Sequence, residues 1–182
     1  MHPASSSTGR YNRIAIALHW ALALALLAQI GLGWYVHDIP RGTPARGYFI
    51  NIHKSIGLLL GLLVLARLAW RARSGAPAWP ATLPRWQVAS ARAGHAALYA
   101  CMVVMPLSGY LASNFSKHGI KFFNTVLLPP WGSDDARIYG VLGGIHAATS
   151  YLLVALVALH VLAALRHLAR RDGVFDRMLP AR

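Results

Sequence analysis

Apolar residues gather into four long stretches, set apart by polar, basic or proline-rich segments. A helix needs about 20 apolar residues to cross a bilayer core. The first stretch, Ile14 to Val36, and the fourth, Gly143 to Leu165, carry no formal charge. The second, about Phe49 to Trp70, is interrupted only near its ends, by Lys54 and Arg67. Long basic side chains at such positions reach out to the interface. The third runs from about Ala93 to Ala112 and contains Pro106, which predicts a kink. Pro77, Pro80 and Pro84 make Ser74 to Trp86 a connector. The longest loop, roughly Ser113 to Leu142, holds Phe122-Phe123 and Pro129-Pro130-Trp131, apolar enough to lie against the membrane interface. The pattern predicts an all-α membrane protein: a four-transmembrane-helix bundle, one domain over 1–182, with helices about 14–36, 49–70, 93–112 and 143–165. The first span exceeds the apolar core of about 7–15 residues usual in a cleaved leader, so it is expected to be retained.

Composition agrees with a bilayer setting. Hydrophobic residues make up 56% of the chain and charged ones only 13%, too few to cover a water-soluble surface. The net charge of +13 raises the question of nucleic acid, but the basic residues fall between apolar stretches and form no continuous stripe. Counting Lys and Arg instead gives an orientation. Twelve lie on one side, Arg10, Arg13, Arg67, Arg71, Arg73, Arg85, Arg92, Arg166, Arg170, Arg171, Arg177 and Arg182. Six lie on the other, Arg41, Arg46, Lys54, Lys117, Lys121 and Arg137. The positive-inside rule then places both termini in the cytoplasm. The single cysteine, Cys101, sits in an apolar run and reads as a small buried residue.

Histidines inside spans are costly and therefore candidates for function. Span four carries His146 and His160, fourteen residues apart. Fourteen steps of helix return to nearly the same face and cover about 21 Å, so one imidazole lies near each side of the hydrocarbon core. His19 in span one is level with His160, and His53 at the start of span two is level with His146. Two imidazoles at one depth suit the two axial positions of a low-spin haem. Zinc or copper is disfavoured, since no Cys, Asp or Glu accompanies the pairs. A proton relay would string its groups through the middle, which is empty of them. The fourteen-residue offset recurs elsewhere: Gly33 after His19, Arg67 after His53, Gly109 after His95. The glycines would clear a ring, as would Gly57 and Gly61, although Gly57-x-x-x-Gly61 is equally a helix-packing motif. Arg67 is placed to meet haem propionates. His95 competes with His19 for the cytoplasmic-side position and ranks second; it could instead serve a propionate or a quinone carbonyl. His2, His37, His118 and His167 lie outside the core.

Several motifs together resemble the bacterial cytochrome b561 family of small di-haem membrane proteins. They are Arg-Tyr-Asn-Arg (10–13), Leu18-His19-Trp20, Asn51-Ile52-His53-Lys54-Ser55-Ile56-Gly57, Ala66-Arg67-Leu68-Ala69-Trp70-Arg71 and Gly94-His95. Pro106-Leu107-Ser108-Gly109-Tyr110, His146 with His160, and Arg177-Met178-Leu179-Pro180 complete the set, which spans nearly the whole chain. The family also resembles the cytochrome b subunits of membrane hydrogenases and formate dehydrogenases. Their ligands come from helices one, two and four, which favours His19, His53, His146 and His160 over His95. The resemblance implies two b haems, residence in the bacterial inner membrane among its lipids, and electron exchange with ubiquinone. One branch of the family oxidises superoxide on the periplasmic side and passes the electron to quinone.

Two functions follow as expectations. One is a self-contained oxidoreductase, moving electrons from a small-molecule or protein donor in the periplasm to quinone. The other is a cytochrome b anchor subunit of a larger dehydrogenase or hydrogenase-type complex. Quinone is expected near His95 and His167, with Arg166 or Arg170 close by, because histidines near water can deliver protons. Lys117 and Lys121, with Lys54, would form a positive funnel steering an anionic donor; the plainer reading is that they anchor the loop to headgroups.

Overall fold

The structure is a computed structural model, and it describes residues 9–180. His2 and Arg182 lie outside the described residues. Four helices follow one another: α1 (Arg13–Asp38), α2 (Pro44–Ser74), α3 (Arg85–Asn114) and α4 (Ala136–Arg170). All four are long and apolar enough to cross a membrane.

Each helix begins where a side chain satisfies its free N–H groups or where proline needs none. Asn12 Oδ1 accepts from the Ala15 amide, Thr43 Oγ1 from Arg46, and Asp135 Oδ1 from Arg137 and Ile138. Pro44 opens α2 at the position where a missing N–H costs nothing. These caps lie outside the apolar stretches, so the helices run longer than the spans. The largest extension at a single end is in α3, which starts at Arg85 rather than near Ala93. The segment 85–92 is helical although its basic residues face water, because nothing in it after Pro84 breaks a helix.

The long loop is also more ordered than apolar content alone suggests. It contains a two-stranded antiparallel hairpin, β1 (Ile120–Phe122) with β2 (Val126–Leu128). Phe123 and Asn124 turn the chain at φ 45° and 59°. The hairpin is docked on α2: the Phe123 amide donates to Ser55 Oγ at 2.8 Å and Asn51 Nδ2 to Asn124 Oδ1 at 2.9 Å. Ser55 is completely buried beneath it.

The opposite end, where the described residues begin and end, is closed by a different device. After α4 a 3₁₀ turn, Phe175–Met178, carries Arg177 beneath the N-terminal segment and the α2–α3 connector. Trp20 Nε1 donates to the Met178 carbonyl at 2.8 Å, tying α1 to the same turn.

Within the bundle α1 packs on α2, α2 on α3, and α3 on α4. Leu22, Leu60 and Val64 form the buried nucleus of the first three, with Met102 and Val103 against them. Leu153 is the only residue of α4 that is fully buried. The backbone of α4 makes few close approaches to α1 or α2. The bundle is thus open along one seam. Outward-facing leucines such as Leu24, Leu62, Leu65 and Leu159 are exposed and meet lipid.

Candidate functional site

The seam between α4 and the α1–α2 pair is where the histidines lie. At the terminal end the rings of His19 and His160 face each other, with centres 6.1 Å apart and planes at 70°. At the hairpin end His53 and His146 do the same at 6.2 Å and 81°. His95 on α3 also approaches His160, at 5.3 Å. Imidazole nitrogen binds a first-row metal at about 2 Å, so two rings in line across one iron leave their centres roughly 6 Å apart. The two α4 pairs with α1 and α2 fit that span; the His95 approach is tighter than it. Among the described residues no three His, Cys, Asp or Glu side chains converge on one metal position. Two donors suffice only where a macrocycle supplies the rest, and a haem does so.

Hydrogen bonds select the ring nitrogen that stays free. His146 Nδ1 donates to the Met105 carbonyl at 2.9 Å, with Ser108 Oγ 3.3 Å away, which leaves Nε2 free for a metal. The carbonyl belongs to the residue just before Pro106. His95 Nδ1 donates to the Ala91 carbonyl at 2.7 Å. His19 differs: Arg67 Nη2 donates to its Nδ1 at 3.3 Å, and Arg67 Nη1 donates to the Ala15 carbonyl. Arginine only donates, so this contact puts the His19 proton on Nε2. Holding iron through Nε2 would need the other tautomer, in which Nδ1 carries the proton and cannot accept from Arg67. His53 Nδ1 is buried without a partner.

Glycines shape the same places. A Cβ at Gly33 would stand 3.2 Å from His53 Cε1, and one at Gly109 would stand 3.1 Å from His146 Cε1 and Nδ1. They make room for the imidazoles themselves. Gly57 and Gly61 do not clear a haem-facing side as expected. A Cβ at Gly57 would meet Gln29 Nε2 at 3.4 Å and one at Gly61 would meet Pro106 Cβ at 3.1 Å. They are helix-crossing positions, and Gly61 accommodates the proline ring of α3.

The remaining candidates are dispersed. Lys54 Nζ is turned into the long loop, donating to the Gly119 carbonyl at 2.9 Å. Lys117 stands 3.7 Å from Asp134, both well exposed, so part of its charge is offset. Lys121 is exposed on β1 opposite Leu127. His167 Nδ1 donates to Asp172 Oδ2 at 2.6 Å. Despite some desolvation, hydrogen bonds from His167 and the Val174 amide hold the Asp172 carboxyl below its ordinary value. The contact therefore persists through the usual carboxylate range and is lost only as pH falls through the lowered value. His37 and His118 are exposed. Three polar residues next to the histidines were not singled out by spacing: Gln29, Ser108 and Asp172. Gln29 and Ser108 were visible as polar residues in apolar spans, but nothing in their spacing named a partner.

Comparison with known proteins matches this arrangement to a family. The sequence model of the family described as prokaryotic cytochrome b561 matches residues 10–181. The chain is similar to cytochrome b561 homolog 2 of Escherichia coli (strain K12), with 31% identity over 172 residues, 93% of this chain and 91% of the relative. The chain belongs to the prokaryotic cytochrome b561 family, and so is a four-span membrane cytochrome that holds haem b and carries electrons.

Proposed function

We propose that this cytochrome passes electrons between a periplasmic donor, such as superoxide, and ubiquinone, using two haem sites in series. The observation that carries this reading is the pair of facing imidazoles at each end of the open seam, at 6.1 and 6.2 Å. His19 and His160 would hold one haem iron, and His53 and His146 the other. Bound there, the haems would supply one-electron storage and transfer. The protein's part is to fix ring orientation, as the Met105 carbonyl does for His146, and to place charge, as Arg67 does beside His19. Once released from His19, Arg67 is the residue that would meet propionates at that end.

The excess of basic residues at the terminal end supports a cytoplasmic setting for it and a periplasmic one for the hairpin. Two superoxide anions would each give up one electron and leave as dioxygen. Two electrons and two protons convert ubiquinone to ubiquinol. The protons would come from the terminal end, from His95 and from the His167–Asp172 pair, which Arg166 and Arg170 flank in sequence. The direct test is a purified, two-haem preparation given superoxide and a soluble ubiquinone analogue. Ubiquinol formation at the rate of haem reoxidation is expected. Intact haems with no quinone reduction would hand the function to the subunit reading.

The two placements have their own tests. A His95→Ala, His167→Ala double variant should reduce quinone at least tenfold more slowly while haem reduction stays fast. Unchanged quinone reduction moves the site elsewhere. Lys117→Gln with Lys121→Gln should slow reduction by superoxide roughly two- to tenfold at low salt and flatten its dependence on ionic strength. An unaltered rate and slope would make the lysines headgroup anchors.

A further inference from the structure

Among the described residues two buried side-chain atoms have no hydrogen-bond partner, Gln29 Oε1 and His53 Nδ1. They belong to residues already bonded to each other: Gln29 Nε2 donates to the His53 carbonyl at 2.7 Å. A carbonyl only accepts, so the amide cannot be reversed and its oxygen is the free end. Gln29 is 9% exposed, in the middle of an apolar span. An unpartnered amide oxygen there carries the full cost of its desolvation.

The two atoms are complementary once His53 serves as a ligand through Nε2. Nδ1 then carries a proton and needs an acceptor, as metal-bound histidines almost always have. Glycine keeps the space beside this ring free of other side chains. Gly33 lies one turn beyond Gln29 on the same face of α1, and a Cβ there would be 3.7 Å from His53 Nδ1. Gly57, one turn after His53, clears the amide on the other side.

We propose that Gln29 is the positioning residue of His53: one buried water, accepting from His53 Nδ1 and donating to Gln29 Oε1, completes the outer shell of that ligand. This rests on His53 being a haem ligand, as proposed above. The opposite ligand, His146, reaches its acceptor directly at the Met105 carbonyl, so the hairpin-end site has two unequal supports. An acceptor on Nδ1–H makes an imidazole a stronger donor and favours the ferric state. Taking it away therefore raises the potential of that haem and leaves the other as it was.

The test is a redox titration of the two-haem protein resolved into its two components. Gln29→Leu should move one haem about tenfold toward ferrous, about 59 mV for one electron, without moving the second. Gln29→Glu keeps an oxygen in place and should stay at or below the native potential. Equal potentials in Gln29→Leu and the native protein, a parallel shift of both haems, or a rise in Gln29→Glu would each overturn the proposal. Should Gln29→Leu lose a haem, pulsed EPR of the native protein in heavy water decides. A water deuteron coupled to the hairpin-end haem is expected, and its absence overturns the proposal. Failure of the underlying assignment shows differently, as a His53→Ala protein that retains both haems.

Discussion

Alanine at His53 or at His146 is expected to leave one haem where the native protein holds two, and alanine at His19 or His160 to remove the other. The expectation follows from the geometry of the seam. Each pair has ring centres separated by the span of two metal–nitrogen bonds in line, and each pair draws one ring from α4. With one imidazole of a pair gone, the haem proposed there would be held by a single histidine, in a seam with few backbone contacts to close it. Losing a group that only hydrogen-bonds to a ligand costs metal sites about ten- to a hundredfold, and loss of the ligand itself costs more, enough to empty the site during purification. His95→Ala should retain both haems, because its ring approaches His160 at 5.3 Å and lies on the exposed side of α3. Pyridine haemochrome quantification on the five variants reads the result. A haem lost in His95→Ala with both kept in His19→Ala would exchange the roles of these two residues.

Replacing Arg177 with alanine is expected to lower the thermal midpoint of the detergent-solubilised protein by roughly 6–12 °C. Arg177 is 5% exposed and has no acidic partner among the described residues. It donates instead to the carbonyls of Gly9, Pro77 and Ala78, at 3.2, 2.6 and 3.3 Å. Its guanidinium lies over the Trp79 and Tyr11 rings, and its own carbonyl receives the Tyr11 amide. Burial pulls the guanidinium below its ordinary value, yet arginine remains charged. Hydrogen bonds from a charged donor are worth about 1.5–3 kcal/mol each. Losing several, discounted for water entering the gap, gives about 3 kcal/mol, and each kcal/mol moves the midpoint by about 2–4 °C at this chain length. Arg177→Lys should recover less than half, because an ammonium lacks the guanidinium's planar fork of donors. Midpoints within 2 °C of the native protein, followed by tryptophan fluorescence, would refute this role for Arg177.

The helices and the level of each histidine were legible because both rest on the fixed rise and turn of an α-helix. Fourteen residues between His146 and His160 carry the geometry with them wherever the helix lies. What was not legible depends on partners distant in the chain. Arg177 stands in a recognisable terminal motif, but its role needs the N-terminal segment and the α2–α3 connector to arrive at one place. Gly57 and Gly61 could clear a haem or a neighbouring helix by spacing alone, and only Gln29 and Pro106 opposite them decide it. The hairpin was hidden because three-residue strands give too short an alternation to read, and the turn at Phe123 requires a positive φ that phenylalanine seldom adopts.

The division of labour among the helices has a bearing on biosynthesis. One member of each facing pair comes from α4, the last of the four spans to leave the ribosome. Until that span enters the bilayer, His19 and His53 have no opposite number on α4, and neither pair exists in half-made form. With these pairs as the haem-holding residues proposed above, haem capture would wait for the end of insertion. A chain stalled after three spans would hold His19, His53 and His95 without His146 or His160 to face them.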